Sequence, residues 1–148
     1  MWARQVHGAD VARVERPGPA GAVDGFVTTR PRLARAAVQA AVAAGARADR
    51  LHATLGPSIG PCCYEVDEPV IAAFHDAYGA TADAWLTPGR PGHVMLDLWA
   101  ADEAVLRDAG VPAERIDNPR LCTACHLDLF YSYRKGARGR LVTIAALP

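Results

Sequence analysis

Residues 55–66 constrain the fold of this chain more than any other segment, because two glycines and two prolines fall within six of them. The apolar run before them, residues 51–55, is typical of a short buried strand, which must end here because proline has no N–H for a ladder. A loop of this composition loses little conformational entropy when it becomes ordered. We therefore expect a rigid loop at a strand end, a common place for a site. The side chains that it presents are Cys62, Cys63, Tyr64 and Glu65.

Length and charge narrow the class of protein. The chain has 148 residues, a formal net charge of +0 and 51% hydrophobic residues. A chain of this length buries roughly 70% of its unfolded surface as one domain, so we expect a single domain over residues 1–148. The composition argues against disorder and against a general affinity for nucleic acid or an anionic membrane. We expect a small molecule or another protein as the partner.

Hydrophobic spacing and turn residues predict a mixture of strands and helices. Residues 1–6 and 11–14 are predicted to form a hairpin that presents His7 at its turn. Three helices are predicted over residues 33–44, 67–79 and 97–109, each followed or ended by glycine, with Asp67 as the cap of the second. Further strand-like runs are residues 23–28, 93–96, 141–147 and the neighbourhood of Ile116.

The four cysteines have several explanations. With no apolar run of about 18 residues and no leader, we expect a cytoplasmic chain in which they stay reduced. Cys122-x-x-Cys125-His126 has the spacing of a c-type haem attachment site, but haem needs a second axial ligand and the only internal methionine is Met95. A zinc module at Cys122-Cys125-His126 that is completed by Cys62 and Cys63 is the next alternative, although neighbouring cysteines are awkward ligands of one tetrahedron. Packing as reduced thiols is favoured for Cys125.

Two further groups of side chains are suited to binding or catalysis. Arg134 and Lys135 lead a small basic cluster that either holds a phosphate through charge-assisted hydrogen bonds or forms a solvated face. Glu65, beside Tyr64, either serves in acid–base chemistry or fixes a neighbouring element, and the second alternative is favoured. His7 has no partner at local spacing.

Considered in order, five motifs point to one family. They are Gln5-Val6-His7-Gly8, residues 56–66, Asp97-Leu98 with Gly110-Val111, Cys122-Thr123 and residues 130–134. The series resembles the YfiH-like family, whose members have been called laccase-domain or multicopper polyphenol oxidases. They are now regarded as zinc-dependent purine nucleoside phosphorylases, some of which also deaminate adenosine or cleave methylthioadenosine. The chain has no pair of His-x-His segments to assemble a copper cluster.

The resemblance carries expectations for fold and substrate. It implies an α+β domain in which β-sheets are layered between helices, with a purine nucleoside and phosphate as substrates. The candidate residues for binding them are Tyr64, Glu65, Arg134 and Lys135.

The same resemblance shows what this chain lacks. The family's metal site has three ligands, and only His7 matches one of them. The motifs that supply the others should lie between Thr29 and the alanine-rich helix, but Arg30 is followed almost directly by Leu33. We therefore expect a shortened member with strands missing at the N-terminus and internally, through a deletion or a gene-model fault.

This shortening leaves two hypotheses for the function. Zinc should bind weakly or not at all, unless Cys62, Cys63 or Cys125 replaces the missing ligands beside His7. The chain is then either an impaired or inactive phosphorylase, or a non-catalytic binding or assembly protein that keeps the scaffold. Exposed strand edges would favour a homo-oligomer in either case.

Overall fold

The computed structural model describes the backbone of residues 2–4, 11–13, 19–22 and 25–27, together with residues 33–43, 45–139 and 141. Its contacts divide the chain into two compact units. The first comprises Met1–Ala53, Val105–Ile116 and Ile144–Pro148, and the second comprises Thr54–Ala104 and Asp117–Thr143. A single domain over the whole chain stays a prediction.

Helices and small sheets are mixed along the chain, which confirms the predicted α+β class. The helices are α1 (Leu33–Ala43), α2 (Glu68–Tyr78) and α3 (Leu98–Asp108). The strands are β1 (Trp2–Arg4), β2 (Val11–Arg13), β3 (Pro19–Ala22), β4 (Gly25–Val27), β5 (Ala53–Thr54), β6 (Glu65–Asp67), β7 (Leu86–Pro88), β8 (His93–Leu96) and β9 (Ile116–Asp117). Within the described ranges, every helix is too short or too polar to cross a membrane.

The predicted N-terminal hairpin is wrong. β1 pairs in parallel with β3, and β2 pairs in parallel with β4, so neither of the two predicted strands has the other as its partner. Pro19–Ala22 form β3, although residues 17–21 have the proline and glycine content of a linker. Proline is compatible with the first position of a strand, because the missing N–H then interrupts no ladder. His7 and most of the predicted strand over 141–147 lie outside the described residues.

The second unit is built on an antiparallel sheet in the order β6-β8-β7. Its register places Glu65 opposite Met95 and Asp67 opposite His93. Phe74 from α2 and Trp85 pack against each other edge-on, with ring centroids 6.5 Å apart. The buried residues of this core are Val66, Phe74, Ala82, Trp85, Leu96 and Ala101.

Local signals set the ends of the helices beside this sheet. Pro69 lies in the first turn of α2, where its missing N–H interrupts no hydrogen bond, and Gly79 ends the helix at a φ of 59°. Asp67 is the N-cap residue of α2, as predicted, but its side chain makes no capping hydrogen bond. The carboxylate of Asp97 instead caps α3, accepting a hydrogen bond from the N–H of Ala100 at 3.0 Å.

Candidate functional site

The loop before β6 packs tightly on α3. The indole N–H of Trp99 donates to the hydroxyl of Ser58 at 2.7 Å. A Cβ on Gly60 would lie 2.5 Å from Cη2 of Trp99, so only glycine fits there. The N–H groups of Cys63 and Tyr64 both donate to the carbonyl of Gly60 at 3.0 Å. These contacts close the loop into a turn that fixes Cys62, Cys63 and Tyr64, as the sequence predicts.

A second turn, residues 122–126, lies against this loop. The N–H groups of Cys125 and His126 donate to the carbonyl of Cys122 at 3.1 and 3.2 Å. The N–H of Thr123 donates to the carbonyl of Ser58 at 3.0 Å, beside a parallel bridge between Ser58 and Cys122. Two pairs of cysteines that are far apart in the sequence are thereby brought together.

The four thiols form one cluster. The Sγ atom of Cys125 lies 3.5 Å from those of Cys62 and Cys63, and all four sulfurs lie within 4.8 Å of one another. A tetrahedral ion with metal–sulfur bonds of about 2.3 Å holds its ligands about 3.8 Å apart. The cluster can therefore hold a metal ion. The structure places Cys62, Cys63 and Cys125 beside one another and beside Cys122, the combination that the zinc alternative drawn from the sequence requires.

The thiols of the cluster differ in pKa. Desolvation opposes the charge on Cys122, but backbone N–H groups outweigh it, among them that of Gly60 at 3.2 Å from Sγ, and lower the pKa to about 6. Desolvation and the contact with Cys125 raise the pKa of Cys62 to about 12. The same two causes raise the pKa of Cys63. A negative charge is therefore placed first on Cys122.

Haem attachment does not fit this arrangement. Cys122 is 5% exposed and packs in a cluster with Trp99 and Ala124. A thioether bond from this sulfur to a porphyrin would require the cluster to open. The residues with the C-x-x-C-H spacing instead form the turn at residues 122–126, whose thiols face those of Cys62 and Cys63.

A cavity of about 240 Å³ lies at the edge of the sheet. Four charged residues line it: Glu65 and Asp67 on β6, Arg90 in the loop before β8, and Arg134 near the end of the described chain. Its complete lining is Glu65, Val66, Asp67, Val70, Arg90, His93 and Arg134.

Glu65 and Arg90 hold each other in place at this cavity. The guanidinium Nε of Arg90 lies 2.8 Å from one carboxylate oxygen, and the backbone N–H of Arg90 donates to the other at 3.1 Å. The Nη2 of Arg90 also lies 3.0 Å from Nε2 of His93, whose Nδ1 is 3.2 Å from the carbonyl of Pro91. A carbonyl only accepts, so His93 carries its proton on Nδ1 and accepts the bond from Arg90 at Nε2.

Arg134 is positioned from two sides. Its guanidinium lies over the ring of Tyr64, 5.1 Å from the centroid, and its Nη1 donates to the carbonyl of Glu65 at 2.7 Å. Tyr64, Glu65 and Arg134, three of the residues singled out from the sequence, are thus neighbours. Lys135 follows Arg134 in an exposed turn and does not line the cavity. Sequence reasoning missed Arg90 and His93, because only the pairing of β6 with β8 brings them to Glu65.

Comparison with known proteins gives this geometry a context. The family model described as "Multi-copper polyphenol oxidoreductase laccase" matches residues 32–148. "Adenosine deaminase RL5", from an unknown prokaryotic organism, is 38% identical over 111 residues, which cover 75% of this chain and 42% of that protein. A "Purine nucleoside phosphorylase" of Deinococcus radiodurans is 36% identical over 126 residues, covering 84% of this chain and 47% of that protein.

Solved structures agree with the sequence matches. YlmD from Geobacillus stearothermophilus superposes with a TM-score of 0.66 at 25% identity, covering 88% of this chain and 66% of that one. The hypothetical protein YfiH of Bacillus licheniformis has the same TM-score of 0.66 at 24% identity, covering 90% of this chain and 68% of that one, and shows the fold alone. The matched part of the chain spans less than half the length of the two curated relatives named above.

Proposed function

Because the chain belongs to the multi-copper polyphenol oxidoreductase laccase family, we propose that its cavity binds the phosphate used in purine nucleoside phosphorolysis. We propose equally that the chain releases little or no purine base by itself. The observation that carries the first part is the position of Arg134 between the ring of Tyr64 and the carbonyl of Glu65. Relatives named purine nucleoside phosphorylase support the choice of reaction.

Arg134 has the chemistry that a phosphate site requires. A guanidinium carries five N–H donors in a fixed fork, and the bond to Glu65 uses one of them. Its orientation is set by Tyr64 before any ligand arrives, so little side-chain entropy remains to be lost on binding. The formal charges of Arg90 and Arg134 are balanced by those of Glu65 and Asp67 in the lining. Attraction of phosphate therefore depends on hydrogen bonds at Arg134 rather than on a net positive field.

The reaction itself sets a further requirement. In phosphorolysis a phosphate oxygen bonds to the anomeric carbon as the bond from that carbon to the purine nitrogen breaks, through an oxocarbenium-like state related to that of glycoside hydrolysis. The leaving purine takes up a proton. The residues of this chain do not fit the family's metal site, because only His7 matches its three ligands. Among the described residues, the four cysteines are the group of His, Cys, Asp and Glu close enough to hold an ion, and none of them lines the cavity. We derive no step through a metal.

Deamination of adenosine is the second candidate, because a relative with 38% identity is named adenosine deaminase. It replaces the exocyclic amine of the purine with oxygen from an activated water and releases ammonia. The same shortage of metal ligands applies to it. The products separate the two reactions, since phosphorolysis gives a free base and deamination gives inosine.

The test combines phosphate binding with product analysis. Titration with inorganic phosphate should show that Arg134→Gln weakens binding about 10- to 100-fold, the loss expected for a charge-assisted hydrogen bond. Lys135→Gln is the matched control, since it removes one positive charge from the neighbouring position outside the cavity, and it should change binding less than about threefold. Incubations with adenosine or inosine, each with and without phosphate, should release no free base above the blank. The incubations with adenosine should also form no inosine.

Two results would contradict this proposal. If the Arg134 and Lys135 variants weakened phosphate binding equally, the phosphate site would not lie in the cavity. Phosphate-dependent base release that His7→Ala abolishes would show a working metal site, and the impaired state would then be wrong.

A further inference from the structure

We propose that Cys62, Cys63, Cys122 and Cys125 form a structural zinc site with four thiolate ligands. It shares no residue with the cavity and does not involve His7, so it is independent of the function proposed above. Nothing in the comparisons assigns this site.

The spacing of the sulfurs fits a single ion. Two of the Sγ–Sγ distances are 3.5 Å, and no pair exceeds 4.8 Å. A zinc tetrahedron has edges of about 3.8 Å, so small side-chain rotations complete it. Disulfides would require sulfurs about 2.05 Å apart. A cluster of two or four iron atoms would spread the four sulfurs more widely, because they would be divided among different irons.

The donor set selects the metal and its role. Four thiolates in a tetrahedron are typical of zinc, whereas Cu²⁺ prefers tetragonal nitrogen and oxygen ligands. Four protein ligands leave no open position for water or substrate, which is the mark of a structural site. Cu²⁺ therefore does not suit these residues.

The backbone around the cluster is prepared for such a site. The N–H of Gly60 points to the sulfur of Cys122 at 3.2 Å, the kind of outer hydrogen bond that orients a metal ligand. The turn closed on the carbonyl of Gly60 directs the thiols of Cys62 and Cys63 to the same side, where both meet Cys125. This local geometry answers the objection that adjacent cysteines are awkward ligands of one ion.

Zinc at this position would cross-link the loop that carries Tyr64 and Glu65 to the turn at residues 122–126. The two segments are otherwise connected by backbone hydrogen bonds such as that from Thr123 to Ser58. Since a closed site of this kind does not preexist in an unfolded chain, metal binding stabilises the folded state. We therefore expect zinc to be bound during folding and retained on purification.

The first experiment measures zinc per chain by elemental analysis after purification with a reducing agent and without added metal. We expect about one zinc per chain in the wild type and in His7→Ala, and less than about a tenth of that in Cys122→Ser and Cys62→Ser. His126→Gln is the matched control, because His126 adjoins Cys125 and has a side chain able to bind zinc, yet it should retain the metal.

A second measurement keeps the proposal testable if the cysteine variants do not fold. Wild-type protein titrated with an organomercurial thiol reagent should release its zinc in proportion to the thiols that react, and the melting temperature should fall by about 5 °C or more. Cobalt exchanged into the site should give the absorption of a tetrahedral tetrathiolate complex. Zinc lost with His7→Ala, a disulfide in the reduced preparation, or wild-type protein without zinc would each overturn the proposal.

Discussion

Gly60 is the residue on which the loop before β6 depends. A Cβ at this position would meet three atoms of the Trp99 benzo ring at 2.5, 2.9 and 3.0 Å. Trp99 cannot yield easily, because it is 7% exposed and its indole N–H is held by Ser58. The same glycine supplies the N–H that reaches Cys122 and the carbonyl that closes the turn. One small residue thus connects helix packing to the cysteine cluster.

Replacing this glycine tests that connection. Gly60→Ala should lower the free energy of unfolding by about 1–3 kcal/mol, the usual cost of overpacking a filled core. Trp99→Phe removes the outer ring atoms that the new methyl group would meet. The free energy of unfolding lost by the double variant should therefore be smaller than the sum of the losses of the two single variants by at least about 0.5 kcal/mol. Urea unfolding followed by circular dichroism measures all three variants. Additive losses would mean that the methyl group does not meet the indole.

The candidate site shows which contacts a sequence encodes. The glycines and prolines around Cys62 predict a rigid loop, and the spacing of Cys122 and Cys125 predicts a turn, because both are local properties. That the loop and the turn meet is a property of tertiary packing, and the spacing of the two cysteine pairs carries no sign of it. Arg90 was missed for the same reason, since it reaches Glu65 only through the strand pairing.

Helices were predicted more accurately than strand partners. α2 begins with Pro69 and ends at Gly79, and each acts within one turn of its own position. The choice between parallel and antiparallel pairing for β1 and β2 depends instead on residues further along the chain. A turn-like tetrapeptide after β1 was therefore insufficient evidence for a hairpin.

Helix α3 carries one carboxyl whose burial costs stability. Glu103 is paired with Arg120 at 2.8 Å, whereas the carboxylate of Asp102, half-buried on the same helix, makes no hydrogen bond or ion pair within the part of the chain that the structure describes. Desolvation raises the pKa of Asp102 from 3.8 to about 6. Between these values the folded chain binds more protons than the unfolded chain, so this group lowers stability as the pH rises. The penalty is complete above about pH 6 and absent below about pH 4.

Asp102→Asn should therefore stabilise the protein at neutral pH. We expect a gain of about 1–3 kcal/mol at about pH 7.5, which disappears as the pH approaches about 4. Asp108→Asn is the matched control, because Asp108 ends the same helix with its side chain 69% exposed, and it should change stability by less than about 0.5 kcal/mol. Urea unfolding across the pH range measures both variants. A gain that persists at low pH would assign the effect to packing or helix propensity.

Two features of the chain favour self-association. β1 with β3 and β2 with β4 form two-stranded sheets whose strands have three or four residues, and an isolated two-stranded sheet is only marginally stable. In the second unit, large apolar side chains are exposed along residues 127–133, with Leu129 at 66% and Tyr133 at 87%. Apolar surface concentrated on one segment is typical of an interface.

We predict that the purified chain is a dimer or a larger oligomer at micromolar concentration. Leu129→Glu should shift it toward the monomer, because a carboxylate in an apolar contact is desolvated without a partner. Gln39→Glu is the matched control, since it adds the same charge at an exposed position of α1 and should leave the oligomer unchanged. Size-exclusion chromatography with light scattering gives the mass of each variant. A wild-type chain that stays monomeric and unfolds cooperatively at high concentration would mean that the apolar segment serves no interface between copies.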